Sequence, residues 1–319
     1  MFIKLLSDAI GFSAIFLYGS TGETIIEKSG HLNLGIPGIM CFGAVGGCIG
    51  ADMAYKAGMG AFGTVFFGIL FAMLFAGAMG LLYGIFTISL RCNQNVTGLT
   101  ITTFGAGILN FWGAIVGSIG VFAKPSLYFT TSIFGEVGND WFSQLFLSYG
   151  PLVYLAIIIA IVVSIVFKKS RTGLSLTAVG ENPAAADAAG INVIKYKYVS
   201  CVLGAAIAGI GGMCYVLDYS AGSLEYIVDQ LGWLAVALVI FSLWRPGIGI
   251  LGSLIFAFLY LLPDQFLPKY VSMNAATSAI IKIIPYAVTA LVLIIISFFN
   301  KRETQPPTAL GVPYFREDR

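Results

Sequence analysis

The chain is dominated by apolar segments long enough to cross a membrane, separated by short polar stretches. The clearest is LVYLAIIIAIVVSIVF at residues 152–167, which holds no charged residue and runs directly into Lys168 and Lys169. A helix of ~20 apolar residues crosses the hydrocarbon core of a bilayer. Because backbone groups in lipid must be hydrogen-bonded internally, such segments predict an all-α, polytopic membrane protein.

Composition agrees with a membrane protein. Hydrophobic residues make up 58% of the chain and charged residues only 10%, against roughly 25% charged residues in soluble domains. The 319 residues leave room for about eight to ten spans and almost no soluble domain. The net charge of +2 gives no reason to expect nucleic acid as a partner. The amino terminus lacks a cleavable signal pattern, so the first helix is expected to stay in the mature protein.

The longest polar insertion is KKSRTGLSLTAVGENPAAADAAGINV, residues 168–193. Its cationic edge indicates the cytoplasmic side, so 168–195 is predicted to be a cytoplasmic loop. Within it, Asn182 is a good N-cap, Pro183 suits the first helical position, alanines favour helix, and Gly190 favours a stop. A short helix held between two spans would act as a lever on both of them. The alternative is an ordinary polar connection.

Glycine and proline interrupt the second apolar segment near its start, in EKSGHLNLGIPGIMCFGA, residues 27–44. Backbone freed by such an interruption is tolerated at membrane depth only when it is buried in protein or faces a water-filled cavity. A broken helix here is therefore a candidate lining for a central path. The residues proposed to line it from this segment are Asn33, Gly35 and Gly38.

Small hydroxyl side chains mark a second candidate lining, VTGLTITTFGAGILNFWGAIVGSIG at residues 96–120. Thr97, Thr100, Thr103 and Asn110 could hydrogen-bond a neutral polar solute at the start of a half-helix. Alternatively, they could bond neighbouring helices. Lys282 is the clearest ionisable residue inside a span, followed by Glu23 and Asp52. Such residues are functional candidates, although Lys282 could also snorkel to the membrane surface.

Charge placement gives a topology of nine spans, the first at about residues 10–26, with the amino end outside and the carboxyl end inside. The permease domain is then 1–300 and a cytoplasmic tail 301–319, disordered or lying on the surface. Residues 123–150 are predicted to form an external loop with a short helix near DWFSQLF, which would be a landing surface for an external partner.

The distribution of Lys and Arg supports this orientation, because cationic residues are more frequent on the cytoplasmic side of a membrane protein. Twelve fall in predicted cytoplasmic segments: Lys28, Arg91, Lys168, Lys169, Arg171, Lys195, Lys197, Arg245, Lys301, Arg302, Arg316 and Arg319. Four fall in predicted external segments: Lys4, Lys56, Lys124 and Lys269.

Several chemistries have no support in the sequence. No GxxxxGK[ST] loop occurs, so the chain cannot bind ATP in the usual P-loop manner. His31 is the single histidine, and the five cysteines show no metal-binding spacing. No metal site, cofactor or catalytic group is therefore expected. Scarce charge within the spans favours neutral solutes over ions.

The segments described above resemble a known family. The pattern AVGENPAAADAAGINV, residues 178–193, is similar to the coupling segment of ABC importer permeases that serve ribose, branched-chain amino acids and nucleosides. Residues 27–44 resemble that group's SG..N.G..G.M..GA signature, and GWLAVALVIFSLWRPGIGILGSLIF at residues 232–256 extends the likeness. The resemblance is closest to nucleoside-type permeases. Pro37 stands where the family usually has Glu, so no role of that carboxylate carries over.

The resemblance implies one permease subunit of a bacterial importer in the cell membrane. A cytosolic ABC ATPase would bind ATP, a second permease would form a heterodimer, and an extracellular lipoprotein would deliver a nucleoside. Simple sugars, riboflavin-like compounds or branched-chain amino acids remain alternative cargoes. A stand-alone secondary carrier or channel is the competing class. The residues expected to meet the ATPase are Gly180, Glu181, Asn182, Pro183, Ala186, Asp187 and Gly190.

Overall fold

A computed structural model describes residues 2–117, 120–135, 138, 140–224, 228–265, 274–299 and 305–315, and within them the regular structure is entirely helical. Helices α3 and α10 continue into the π-helical turns Ile85–Ser89 and Tyr215–Tyr219. The helices are α1 Phe2–Glu27, α2 Ile36–Lys56, α3 Gly60–Gly84, α4 Gln94–Val116, α5 Ala123–Thr130, α6 Trp141–Phe146, α7 Pro151–Lys169, α8 Arg171–Glu181, α9 Pro183–Ala188, α10 Val193–Cys214, α11 Val228–Phe241, α12 Pro246–Gln265, α13 Ala275–Lys282 and α14 Ile284–Phe299.

Membrane-spanning length is reached by 7 helices in the described part of the chain: α1 to α4, α7, α10 and α12. Helix α11 has 14 residues and is about 21 Å long at 1.5 Å per residue. The last apolar run is split into α13 and α14 at Ile283. Pro285 explains the split, because proline lacks the backbone N–H that a continuous helix would need there. The predicted fold class is confirmed, whereas the count of nine spans and their orientation stay predictions.

The first helix is longer than predicted: it begins at Phe2 rather than near Ile10 and ends at Glu27. The polar residues of its second half lie inside the bundle, where the side chains of Tyr18 and Glu23 are fully or almost fully buried. This part of the helix therefore packs against other helices.

Glycines allow the central helices to touch backbone to backbone. A methyl group on Gly43 of α2 would lie 2.2 Å from the carbonyl oxygen of Gly209 in α10. A methyl group on Gly22 of α1 would lie 2.3 Å from the carbonyl oxygen of Gly204 in α10. Small residues permit such close crossings in membrane helices. Helices α1, α2 and α10 therefore form the centre of the bundle.

The interruption predicted near residues 30–38 lies between two helices, not within one. Residues 28–35, here called the linker, join α1 to α2, and α2 is continuous from Ile36. Pro37 occupies the first turn of α2, where a missing N–H costs little. Helix α4 is also continuous, with the Asn93 side chain accepting a hydrogen bond from the Val96 N–H. The expectation of helices broken at these two places was therefore wrong.

The connections between the helices lie at two ends of the bundle. The end that holds residues 305–315 is called the tail-side end. There, the Gly311 N–H donates to the Gly30 carbonyl at 3.1 Å, and the Ala309 N–H donates to the Gly180 carbonyl at 3.0 Å. At the opposite end, the Phe122 N–H donates to the Gly222 carbonyl at 3.1 Å. This grouping agrees with the alternation of the predicted topology. Residues outside the described part include Lys269, Lys301, Arg302, Arg316 and Arg319.

Candidate coupling and transport site

The segment predicted to couple to an ATPase folds as a pair of helices, of which only the second was predicted. Ser170 begins α8 by accepting a hydrogen bond from the Gly173 N–H at 3.0 Å. Asn182 begins α9 by accepting from the Ala185 N–H at 3.0 Å, and Pro183 follows in the first turn. Gly190 has φ +83°, a left-handed conformation that stops the helix. The local rules for caps and stops thus account for α9.

Helix α9 is anchored by one side and exposed on the other. Ala186 is 4% exposed and packs in a small apolar cluster with Val179 of α8 and Val193 of α10. Asp187 and Pro183 are half-buried. The exposed positions are Asn182, Ala184, Ala185, Ala188, Ala189 and Gly190. A surface of such small side chains lets another protein approach the backbone closely.

Gly180 and Glu181, also predicted to meet the ATPase, point instead toward the rest of the tail-side end. A methyl group on Gly180 would lie 2.3 Å from the Lys28 carbonyl oxygen. The Glu181 carboxylate accepts a hydrogen bond from the Thr308 hydroxyl at 2.7 Å. Of the predicted coupling set, Asn182 and Gly190 are therefore exposed, Pro183 and Asp187 are half-buried, and Gly180, Glu181 and Ala186 contact the rest of the protein.

The linker is tied to two spans through its backbone. The Tyr83 hydroxyl of α3 donates to the Leu32 carbonyl at 2.7 Å, and the Leu32 N–H donates to Gln94 Oε1 at 2.8 Å. The Thr102 hydroxyl of α4 donates to the Leu34 carbonyl at 2.7 Å. Since buried backbone groups need partners, these bonds fix the linker to α3 and to the first turns of α4.

Asn33 sits at the centre of the linker and is completely buried. Its Oδ1 accepts a hydrogen bond from the Gly35 N–H at 2.9 Å, and its own N–H donates to Glu23 Oε1 at 3.3 Å. Glu27, one turn further along α1, accepts a hydrogen bond from the Trp244 indole N–H.

This buried pair, Glu23 with Glu27, was not identified from the sequence as a unit. Its signal was present: two carboxylates four residues apart lie on one face of a helix, and both fall inside a spanning segment. Its partner Trp244 could not be predicted, because it comes from the turn after α11, where Leu243 and Trp244 have φ of 56° and 54°.

Two titratable residues belong to the linker itself: His31, which is buried, and Lys28, which is half-buried. His31 is 1% exposed, and burial, reinforced by the nearby Lys197 ammonium, holds the pKa of His31 well below its usual value. Burial lowers the pKa of Lys28, an effect that the Glu181 carboxylate opposes. The linker thus carries a neutral imidazole rather than a charged one near neutral pH.

Gly35 and Gly38, predicted to line a path, lie against α4. A methyl group on Gly38 would lie 2.1 Å from the Ile101 carbonyl oxygen, and one on Gly105 would lie 2.3 Å from the Gly38 carbonyl oxygen. Close packing of α2 on α4 therefore accounts for Gly38. Helix α2 also packs closely on α11: a methyl group on Gly232 of α11 would lie 2.4 Å from the Cα atom of Pro37. An apolar contact is therefore found at Pro37, the position where the sequence resemblance led us to expect Glu.

The three α4 threonines that were predicted to line a path hydrogen-bond to backbone carbonyls of their own segment. The hydroxyls of Thr97, Thr100 and Thr103 donate to the carbonyls four residues earlier at 2.9, 2.8 and 3.0 Å. Thr97 is 9% exposed, whereas Thr100, Thr103 and Asn110 are exposed on one face of the helix. The structure therefore brings these last three together and leaves Asn33 and Thr97 buried. The side chain of Lys282 lies outside the described part.

The opposite end of the bundle holds a polar cavity of about 390 Å³. It lies between the start of α1, the residues before α7 and the end of α10. The predicted short helix near DWFSQLF is present as α6, and its Trp141 is 62% exposed. The polar side chains lining the cavity are Ser7, Asp8, Thr130, Ser148, Tyr149, Asp218 and Tyr219.

A bundle with seven membrane-length helices in the described part of the chain has the architecture of a multi-pass membrane protein. The chain belongs to the family described as the branched-chain amino acid transport system permease component, which matches residues 5–297. It is accordingly a permease subunit of the ABC transporter class, not an enzyme, and a multi-pass protein of the plasma membrane. Permease subunits of this class carry no cofactor of their own.

Three relatives place the chain within the family. A Haloferax volcanii protein provisionally named a glucose ABC transporter permease is 31% identical over 80% of this chain and 75% of its own length. The nucleoside ABC transporter permease protein NupC of Lactococcus lactis is 29% identical over 98% of this chain and 96% of its own. The guanosine ABC transporter permease protein NupQ of Bacillus subtilis is 28% identical over 97% and 95%.

Proposed function

We propose that this chain is the membrane subunit of a nucleoside-importing ABC transporter and that α9 is the surface on which a cytosolic ATPase acts. The observation that carries the proposal is the seat of α9, capped by Asn182 and packed through Ala186 on α8 and α10. A helix anchored on one side and exposed on the other can be pushed by a bound protein and can transmit that force to α7 and α10, the spans on either side.

The ATPase partner supplies the energy. The chain has no phosphate-binding loop of its own, and ATP binding belongs to the partner. Nucleotide-driven closing of the ATPase would move α9, and the spans would rock with it between inward-open and outward-open states. The tail-side end is then the cytoplasmic end, in agreement with its cationic residues.

Nucleosides are the favoured substrate because the two relatives that match nearly the whole chain carry nucleoside and guanosine in their names. The exposed hydroxyls and amide of α4 suit a neutral, hydroxylated molecule. Glucose is the second candidate, supported by the relative that is 31% identical and by the same polar chemistry. Branched-chain amino acids carry two charges that α4 does not match.

A second permease would complete the path against the outer face of α4. An exposed amide such as Asn110 in a spanning helix is costly against lipid, so contact with protein or with an aqueous path explains it better. The relatives include two nucleoside permeases of one Lactococcus lactis strain, NupC and NupB, which favours a heterodimer. An extracellular lipoprotein would deliver the substrate at the opposite end, near α6 and the polar cavity.

The test is uptake by the reconstituted assembly. The chain is purified with its ATPase and second permease, placed in liposomes with the binding lipoprotein, and given labelled guanosine, uridine or glucose. We expect ATP-dependent uptake of the nucleosides and competition between them. Selective uptake of glucose would establish the sugar alternative. Uptake by this chain without an ATPase would overturn the proposal in favour of a carrier or channel.

A further inference from the structure

Residues 305–315 lie against the tail-side end and bridge two separate parts of it. The Thr308 hydroxyl donates to the Glu181 carboxylate at 2.7 Å. One residue on, the Ala309 N–H donates to the Gly180 carbonyl at 3.0 Å, and the Gly311 N–H donates to the Gly30 carbonyl at 3.1 Å. This short segment thus joins the end of α8 to the linker.

The same segment reaches the other side of the linker through its last described residues. The guanidinium carbon of Arg91 lies 4.5 Å from the centre of the Phe315 ring, a cation–π contact at the turn between α3 and α4. Tyr314 packs on the cluster formed by Val179, Ala186 and Val193. Residues 305–315 therefore touch the seat of α9 as well as the linker.

The end of α8 and the linker also touch each other directly. A methyl group on Gly180 would lie 2.3 Å from the Lys28 carbonyl oxygen, so the two backbones are in contact. Dispersion attraction at a single contact is small, so it resists separation only weakly. The hydrogen bonds from Ala309 and Gly311 resist separation. Pulling α8 away would have to break them or carry the linker along.

We propose that residues 305–315 form a carboxyl-terminal strap that holds α8 and the linker as one body throughout the transport cycle. Force applied to α9 is then transmitted through the linker to α1, α2 and α4, in addition to α7 and α10. Thr308 and Phe315 are positioning residues in this device. The inference rests on the proposed function, because it concerns how the same ATPase-driven movement is distributed.

The first test weakens the strap and measures substrate transported per ATP hydrolysed in the reconstituted transporter. In the double variant, Thr308→Val is isosteric and removes the hydrogen bond, and Phe315→Leu leaves a smaller apolar side chain without the ring. We expect substrate per ATP to fall about fivefold, as loss of about one hydrogen bond's net stabilisation implies, with ATPase binding unchanged. The matched control is Val312→Thr, an isosteric change at a strap residue that is 55% exposed. Wild-type coupling in the double variant would overturn the strap.

The second test restores the link covalently. Cys92 is exposed and the other four cysteines are buried, so a Cys92→Ser background carries Glu181→Cys and Thr308→Cys. Before cross-linking, the substrate transported per ATP should fall about as much as in the first double variant. A short bifunctional thiol reagent that links the two cysteines should restore it. Lost uptake after cross-linking would show that the strap must detach, and would overturn the proposal. Failure of the wild-type chain to bind any ATPase would instead contradict the proposed function.

Discussion

The tail-side end and the outer face of α4 both carry polar side chains in a membrane protein, but they use them in opposite ways. At the tail-side end, polar groups bond to other elements: Tyr83 and Thr102 to the linker, and Trp244 to Glu27. On α4, Thr100 and Thr103 bond only to their own helix. The first arrangement fixes elements to each other and suits transmission of movement. The second leaves a surface open to a partner or a solute.

Matched glycine substitutions test this contrast with the largest expected effect. Gly180→Ala places a methyl group 2.3 Å from the Lys28 carbonyl oxygen, whereas a methyl group on Gly107 of α4 meets nothing within 4 Å. Overpacking should cost Gly180→Ala about 1–3 kcal/mol. Gly107→Ala should gain up to about 1 kcal/mol from helix propensity. Thermal denaturation in detergent measures both, and equal stability of the two variants would remove the contrast.

Replacing the indole partner of Glu27 should have the next largest effect. Trp244→Phe keeps the aromatic ring but leaves a buried carboxyl group without its indole donor, at a cost of about 2 kcal/mol. The control is Trp141→Phe in α6, because Trp141 is 62% exposed. Denaturation curves that shift equally for both variants would show that the buried bond contributes nothing.

The open surface should respond in transport and not in stability. Asn110→Leu removes an exposed amide of α4 and is expected to lower uptake about tenfold, the cost of one well-placed hydrogen bond. Its melting temperature should stay within a degree or two of the wild type. Ile115→Leu, at a position 61% exposed on the same helix, serves as the control. If Asn110→Leu transports normally, the path does not run along this face.

The smallest expected effect is a pH dependence of stability arising at His31. Burial holds the pKa of His31 well below 6.5 in the folded chain, while the unfolded chain has the ordinary value. Below about pH 6.5 the unfolded state therefore binds the extra proton, and the free energy of unfolding falls as pH falls, by about 1 kcal/mol per pH unit. His31→Gln should flatten this slope between pH 6.5 and pH 5.5, as measured by melting temperature. An unchanged slope would assign the effect to other groups.

Local rules predicted the helices well. Hydropathy identified the membrane-length segments, and capping chemistry placed α9 between Asn182 and Gly190. These features depend on residues near each other in the sequence, so propensity and periodicity were enough.

Long-range contacts could not be predicted in the same way. Trp244 meets Glu27 across 217 positions, and Thr308 meets Glu181 across 127, and no local pattern specifies either pair. The break near Gly30 to Gly38 was predicted inside a helix because Pro and Gly disfavour helix interiors. In the structure, Pro37 instead lies in the first turn of α2, where its fixed φ is favourable.

The role of α9 is tested most directly by blocking its exposed side and measuring both ATPase capture and uptake per ATP in the reconstituted transporter. Ala188→Trp adds a large side chain to the outward surface, and Leu127→Trp adds one at the opposite end, where Leu127 is 61% exposed. We expect Ala188→Trp to lose ATPase capture and ATP-dependent uptake together, while Leu127→Trp keeps ATPase capture. Normal capture and normal uptake per ATP in Ala188→Trp would contradict the assignment of α9 as the site where the ATPase acts.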